Sequence, residues 1–417
     1  MKKTIAVAAL AVLWSAGSAS AAGYRIPEQS VDSTAKAGAN IASANGADTS
    51  YYNPANMAWT AGDKWLVEGD LTYIHLPSIS YDDNRTAAYD GESKKENFLL
   101  PTVFMVSPEV NNFRFGFSVT APYGLAKRWE QPYPRTFAEE YSLKVFDINP
   151  TVAYKFCEYF SVAAGPRLLY SSAQVSSNGV VRRPPVFPVT ITGSRLVEGD
   201  STEFGWNAAL SAKPMKDLNL ALTYRSKVDI DLEGDALLGT NYPTPASVSA
   251  GGSVSVPAPA VLAISGAYTL EKLTVELTWE RTYWSDYEDI TFQYDPALTN
   301  STLNAVFGGT VDKSWDDSDA YRLGLSYALN EIWTLMAGFA YDRTPVPDST
   351  LLFDLPDSDA FLYSVGVRYQ VNQQMEVGAG YLYDDKDSRS VTNARGVDGT
   401  FTDSSAHLLS VGLTYTF

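Results

Sequence analysis

Hydrophobic and polar positions alternate along most of this chain. Phe361, Tyr363, Val365, Val367, Tyr369 and Val371 share one parity, with Ser364, Gly366, Arg368 and Gln370 on the other. Leu273, Val275, Leu277 and Trp279 stand against Thr274, Glu276, Thr278 and Glu280 in the same way, and Tyr321, Leu323, Leu325 and Tyr327 against Arg322, Gly324 and Ser326. The chain ends on the same pattern, with Leu409, Val411, Leu413, Tyr415 and Phe417 opposite Ser410, Gly412, Thr414 and Thr416. A period of two puts alternate side chains on opposite faces of a strand. Each strand therefore has one apolar face and one small or polar face.

A soluble sandwich alternates too, so the connections have to discriminate. Short gaps fall near residues 110, 157, 215, 270, 330 and 372, and long polar segments at 79–96, 124–141, 176–196, 231–256, 286–312, 344–360 and 384–404. Tight turns alternating with long loops are the signature of an outer-membrane barrel. The pattern predicts about fourteen strands beginning near 64, 97, 112, 142, 159, 196, 217, 257, 272, 313, 331, 361, 374 and 405. The fold expected is all-β: a transmembrane antiparallel β-barrel whose ends both lie on the periplasmic side. Leu409, Val411, Leu413 and Tyr415 then face lipid, and Phe417 closes the last strand at the inner aromatic girdle.

Composition agrees with a barrel. Tyr (26) and Gly (29) are abundant and aromatics make up 13% of the chain, as suits rings placed at a membrane–water boundary. Lys2 and Lys3 precede an apolar run from Ile5 to Trp14 and then small residues ending at Ala19-x-Ala21, the layout of an export signal spanning 1–21. The formal charge of −17 argues against nucleic acid as a partner. The single Cys157 excludes an intrachain disulfide.

Residues 22–62 differ from the rest. They are rich in Ala, Gly, Ser and Asn, with neither a helical stripe nor alternation, and they are too few to build a core of their own. They form either a leader or a plug inside a wide lumen. The barrel proper is expected over 63–417.

Several segments resemble the FadL family of outer-membrane transporters for long-chain fatty acids and other hydrophobic molecules. "NPA" (Asn53, Pro54, Ala55) precedes the first strand as it does in the family's hatch. "ALTYRSKVDIDLEG" (221–234), the stretch 256–290 and above all "YDRTPVPD…LPDSDAF" (341–361) look like family blocks in family order. The resemblance implies a fourteen-stranded barrel closed by an N-terminal hatch over 22–62. It also implies an apolar lumenal pocket filled from the extracellular side, and lateral release at a kink in the third strand. Pro122, Tyr123 and Gly124 occupy the kink position; proline lacks a ladder donor and glycine permits an irregular backbone. The other reading is that Pro122 and Gly124 only open the following loop. The family's pocket holds a carboxylate with basic side chains. One such position falls on Lys313; the other falls near Ser177, with Arg182 and Arg183 close by. Solvated loop charge is the alternative for all three. The resemblance implies no cofactor, and a monomer set in outer-membrane lipid and lipopolysaccharide.

Other chemistry finds little support. His75 and His407 are the only histidines and neither stands in a nucleophile motif, so no enzyme is expected. The acidic pairs Glu139–Glu140, Asp316–Asp317 and Asp384–Asp385 read as solvated loop charge rather than calcium ligands. Three cargo readings remain: long-chain fatty acids, aromatic or aliphatic hydrocarbons as in the TodX-like branch, or hydrophilic solutes through a nonspecific porin.

Overall fold

Fourteen antiparallel strands close into a barrel in the computed structural model. It describes residues 23–60, 62–182 and 189–417, with the side chain of Arg182 outside that description. The export signal and Arg183 lie outside the described residues. The wall begins with β1 (Leu66–Leu76), β2 (Glu96–Val106), β3 (Phe113–Arg128), β4 (Glu140–Cys157), β5 (Phe160–Arg182) and β6 (Ile191–Met215). It continues through β7 (Leu218–Arg225, then Val228–Thr240), β8 (Ala246–Ala258, then Val261–Leu270), β9 (Leu273–Thr282) and β10 (Ser318–Ala328). It finishes with β11 (Trp333–Asp342), β12 (Ala360–Gln370), β13 (Met375–Lys386) and β14 (Ser405–Thr416). Closure is direct: β1 pairs with β14 from Leu66↔Thr416 to His75↔His407. Closure pairs the first strand with the last, so neither is left as a free edge in lipid.

The parity read from the sequence sets inside and outside. Leu71, Tyr73, Leu409, Val411 and Leu413 point outward and are exposed, whereas Thr72 and Ser410 point inward and are fully buried. The inward hydroxyls bond to one another, with Thr72 and Ser410 2.7 Å apart.

Two expected loops prove to be mostly strand. β5 and β6 span 23 and 25 residues, about 80 Å each at roughly 3.3 Å per residue. A tilted membrane strand needs only about ten. They and β7–β8 therefore rise well above the bilayer, carrying strand into the loop expected at 176–196 and leaving a short turn after Thr240 in place of the loop expected at 231–256. The alternation inverts there. Val228, Ile230 and Leu232 are buried while Asp229, Asp231 and Glu233 are exposed, because the outer face now meets water and the inner face a pocket. Apolar-outward patterning cannot detect such strands.

The remaining loops build a cap on the extracellular side. Ser80–Asp83, Gly91–Glu92, Arg389–Thr392 and Asp398–Thr402 form a four-stranded sheet. Trp129, Tyr81, Phe353 and Phe401 pack beneath it, with the Trp129 indole donating to Phe353 O at 2.8 Å. The short helices α1 (Val31–Ala35) and α2 (Thr49–Tyr52), and a 3₁₀ turn at Pro54–Trp59, belong to the N-terminal segment.

Candidate functional site

The N-terminal segment makes hydrogen bonds and ion pairs with side chains from nearly every part of the wall. From β9, the Glu276 carboxylate accepts from the backbone N–H groups of Ile41 (2.8 Å), Ala42 (2.7 Å) and Ser43 (3.0 Å). From β12, Arg368 reaches Asp32 at 2.6 Å and Glu68 at 2.5 Å. Arg25 makes a two-pronged pair with Glu280 at 2.6 and 2.8 Å, and Arg322 joins Glu280 to Asp342 at 3.2 Å each. Buried ions in such a setting need partners, and these have them.

The NPA residues sit at the fold-back of this segment. Asn53 ends α2 and Pro54 starts the 3₁₀ turn, where a missing N–H costs nothing. The Asn53 amide donates to Ile41 O at 3.1 Å. Ala55 is fully buried and its carbonyl accepts from Ser161 of β5 at 2.9 Å. These three residues fix the shape of the segment.

Above the segment lies a cavity of about 420 Å³. Leu143, Val175, Leu232, Val256, Phe292 and Phe307 contribute apolar walls, and Tyr24 lines its inner end. The Tyr24 hydroxyl donates to Pro257 O at 2.5 Å, and its ring lies 4.6 Å from Trp284 and 5.8 Å from Trp315. A cavity of this size and polarity suits one small amphiphile.

Among the described residues two cations enter it. Lys313 lines the cavity, but its ammonium is 2.5 Å from Asp354. Burial alone would depress the Lys313 ammonium, yet Asp354 beside it lifts it above the ordinary lysine range. The neighbouring Tyr287 phenol is pushed up to about 12 by its burial, with Lys313 pulling the other way. Arg195 is the second cation. Its guanidinium donates to Tyr141 Oη at 2.9 Å and lies 4.3 Å from the Phe292 ring centroid. It has no acidic partner among the described residues.

Arg195 was not singled out in the sequence, although Ser177 was. The two are direct register partners across the β5–β6 hairpin, and both line the cavity. A basic group thus stands one strand over from Ser177. Arg182 lies at the end of β5 opposite Ile191, five positions beyond Ser177, and its backbone is all the structure describes.

Pro122, Tyr123 and Gly124 lie inside β3 rather than after it, and the wall is irregular there. The β2–β3 ladder covers only Val103–Val106 against Gly116–Val119. The strands meet again at Ser93↔Trp129. On its other side β3 slips register against β4 between Thr120 and Tyr123. The N-terminal segment takes over the edge that β2 leaves. Ile26 N donates to Pro122 O and Gly124 N to Tyr24 O, both at 2.8 Å. The Gln29 amide brackets Ala121, accepting from its N–H at 2.8 Å and donating to its carbonyl at 3.1 Å. Proline supplies an acceptor without a donor, so the exchange leaves no N–H unpaired at 122.

The chain resembles known proteins over nearly its whole length. Residues 12–417 match the family model for outer membrane protein transport proteins of the OMPP1/FadL/TodX type. A long-chain fatty acid transport protein from Salmonella typhi is 25% identical over 340 residues, covering 75% of each chain. The crystal structure of a Pseudomonas aeruginosa FadL homologue superposes with a TM-score of 0.82 at 21% identity, covering 94% of this chain and 99% of the other. That of the Pseudomonas putida toluene transporter TodX superposes with a TM-score of 0.71 at 16% identity, covering 95% and 99%.

Proposed function

The chain belongs to the OMPP1/FadL/TodX family of outer membrane transport proteins, and we propose that it takes up long-chain fatty acids by a passive, lateral route. It is a β-barrel of the Gram-negative outer membrane, and its family moves hydrophobic compounds. In this reading residues 22–62 are a hatch that blocks straight passage. Cargo enters from the extracellular side, rests in the 420 Å³ cavity with its carboxylate on Arg195, and leaves between β2 and β3 at Pro122–Gly124.

The observation that carries the fatty-acid reading is Arg195, a cation without an acidic partner among the described residues, facing an apolar cavity. A carboxylate supplies the missing charge and an alkyl chain the apolar surface. Lateral release suits such cargo. Each methylene kept out of water is worth about 0.8 kcal/mol, so a sixteen-carbon chain forfeits on the order of 13 kcal/mol if it must enter periplasmic water. Release into the bilayer avoids that loss.

A second reading replaces the acid with a neutral hydrocarbon, and the Lys313–Asp354 pair favours it, since the pair leaves only one uncompensated cation in the cavity among the described residues. Competing uptake of oleate and toluene into proteoliposomes separates the two: saturable oleate uptake that toluene does not displace supports the acid. Large steady conductance of the intact protein in a planar bilayer would instead support a hydrophilic pore and end the hatch reading.

A further inference from the structure

A second cation stands where the proposed exit begins. Lys127 lies on β3 two residues beyond Leu125, and only 5% of it is exposed. Several inward or cap cations have carboxylates: Arg25 has Glu280, Arg167 has Asp147, Lys313 has Asp354 and Lys386 has Asp357. Lys127 has neither an ion pair nor a side-chain hydrogen bond among the described residues. Glu96, the carboxylate that faces it, is held by both prongs of Arg128 at 2.7 Å, and Lys386, which lines the same cavity, is paired with Asp357 at 2.5 Å. A buried ammonium without a counter-charge is costly in a low-dielectric setting, and a fold that keeps one there points to an anion from outside the chain.

The surroundings have room for one. Lys127 and Lys386 line a cavity of about 50 Å³, space for a head group but not for an alkyl chain. Ser404 and Ser405 add hydroxyls, and Gly124 and Ala126 form the wall from the stretch of β3 that the β2 ladder does not cover. Leu125 and Leu355 line both this cavity and the large apolar one, so a two-residue partition separates them.

We infer that Lys127 receives the carboxylate of an anionic long-chain amphiphile as it passes from Arg195 toward the opening between β2 and β3. This rests on the transport reading and narrows its cargo. Once the carboxylate leaves Arg195 it would otherwise cross the apolar partition with no cation to meet it; Lys127 supplies one on the far side. A neutral hydrocarbon has no use for such a station.

The test compares oleate with oleyl alcohol, which share a chain and differ in charge, using full-length protein in proteoliposomes. Lys127→Met is expected to slow oleate transfer by about tenfold, a loss in keeping with one charge-assisted contact. It should leave oleyl alcohol within about twofold, and Lys127→Arg should restore oleate. Unchanged oleate transfer overturns the inference. So does an equal loss for both cargoes in correctly folded barrel, which would make Lys127 a support of the wall. If neither cargo crosses with the unaltered protein, the transport reading fails and takes this one with it. The unaltered protein also gives a readout that needs no variant. An oleoyl N-hydroxysuccinimide ester acylates a lysine amine where the cargo's carboxyl carbon dwells, with N-hydroxysuccinimide leaving. Peptide mapping should find the amide on Lys127 and lose it when excess oleate competes; labelling confined to exposed lysines refutes the site.

Discussion

Arg195 and Lys313 both face the large cavity, but their surroundings predict opposite consequences of removing them. Arg195 gives up a hydrogen bond to Tyr141 at 2.9 Å, contact with the Tyr294 phenol and ring contacts with Phe292 and Phe307. Arg195→Met keeps most of the stem against the apolar wall and strands no buried carboxylate, so the barrel should lose little. A hydrogen bond to a charged group is worth about 1.5–3 kcal/mol, which at about 1.4 kcal/mol per decade is roughly a ten- to hundredfold loss of oleate affinity. Toluene affinity should stay within about twofold. Lys313→Met instead removes the ammonium 2.5 Å from Asp354 and leaves that carboxylate uncompensated in the cap. Its main effect should be on stability, and the pair Lys313→Met with Asp354→Leu should recover much of it. Displacement of a fluorescent fatty acid from detergent-purified protein measures the first effect, and thermal unfolding the second. Oleate binding by Arg195→Met within twofold of the unaltered protein would refute the assignment of the carboxylate to Arg195.

The same geometry yields further expectations. Glu276→Ala leaves three backbone donors of residues 41–43 unpaired and should raise steady conductance in planar bilayers, as the N-terminal segment loosens. Gly338→Leu should raise it further, because even a Cβ there would lie 2.2 Å from the backbone carbon of Lys36 and the segment must move; conductance at the unaltered level would count against both. Lys313 is held above its ordinary range in the folded cap, so its pairing contributes fully below about pH 10.4, the unfolded lysine value, and is lost as pH rises through the folded value. The melting difference between the unaltered protein and the Lys313→Met/Asp354→Leu variant should therefore be flat from pH 7 to 9 and shrink only above that, which unfolding curves across the range will check.

The wall was legible in the sequence wherever lipid touches it. Leu409, Val411 and Leu413 alternate with Ser410 and Gly412 because two different solvents lie on the two faces. Legibility fails where the outer solvent changes to water. Asp229, Asp231 and Glu233 then face out and Ile230 and Leu232 face in, and a search for apolar-outward runs reads the stretch as loop. It fails again across strands. Ser177 marks the right level of the cavity, but the charge there belongs to Arg195 on the next strand, a partnership set by hairpin register rather than by spacing along the chain. Lys127 shows the same limit in another form, since its lack of a partner depends on Arg128 holding Glu96.

The irregular stretch of β3 ties two motions together. A strand edge left open in a barrel wall would expose backbone donors and acceptors to hydrocarbon, so β3 cannot simply stand apart from β2. Here the edge is occupied from within, by Tyr24, Ile26 and Gln29. Cargo can reach bilayer through this place only if those contacts loosen. At about 0.5–1.5 kcal/mol net each, the four hydrogen bonds hold the closed state by roughly 2–6 kcal/mol, an open population between about one in thirty and one in twenty thousand. Tyr24 lines the floor of the large cavity as well, so a ligand that displaces its ring also pulls on Gly124. Occupancy and opening then share one lever, and binding needs only a few kcal/mol of preference for the displaced arrangement to shift the balance. Gln29→Leu removes two of the four bonds while leaving the cavity intact. It should speed oleate release severalfold without changing equilibrium affinity by more than about the same factor. A Gln29→Leu protein that binds and releases oleate as before would break the proposed link between floor and wall.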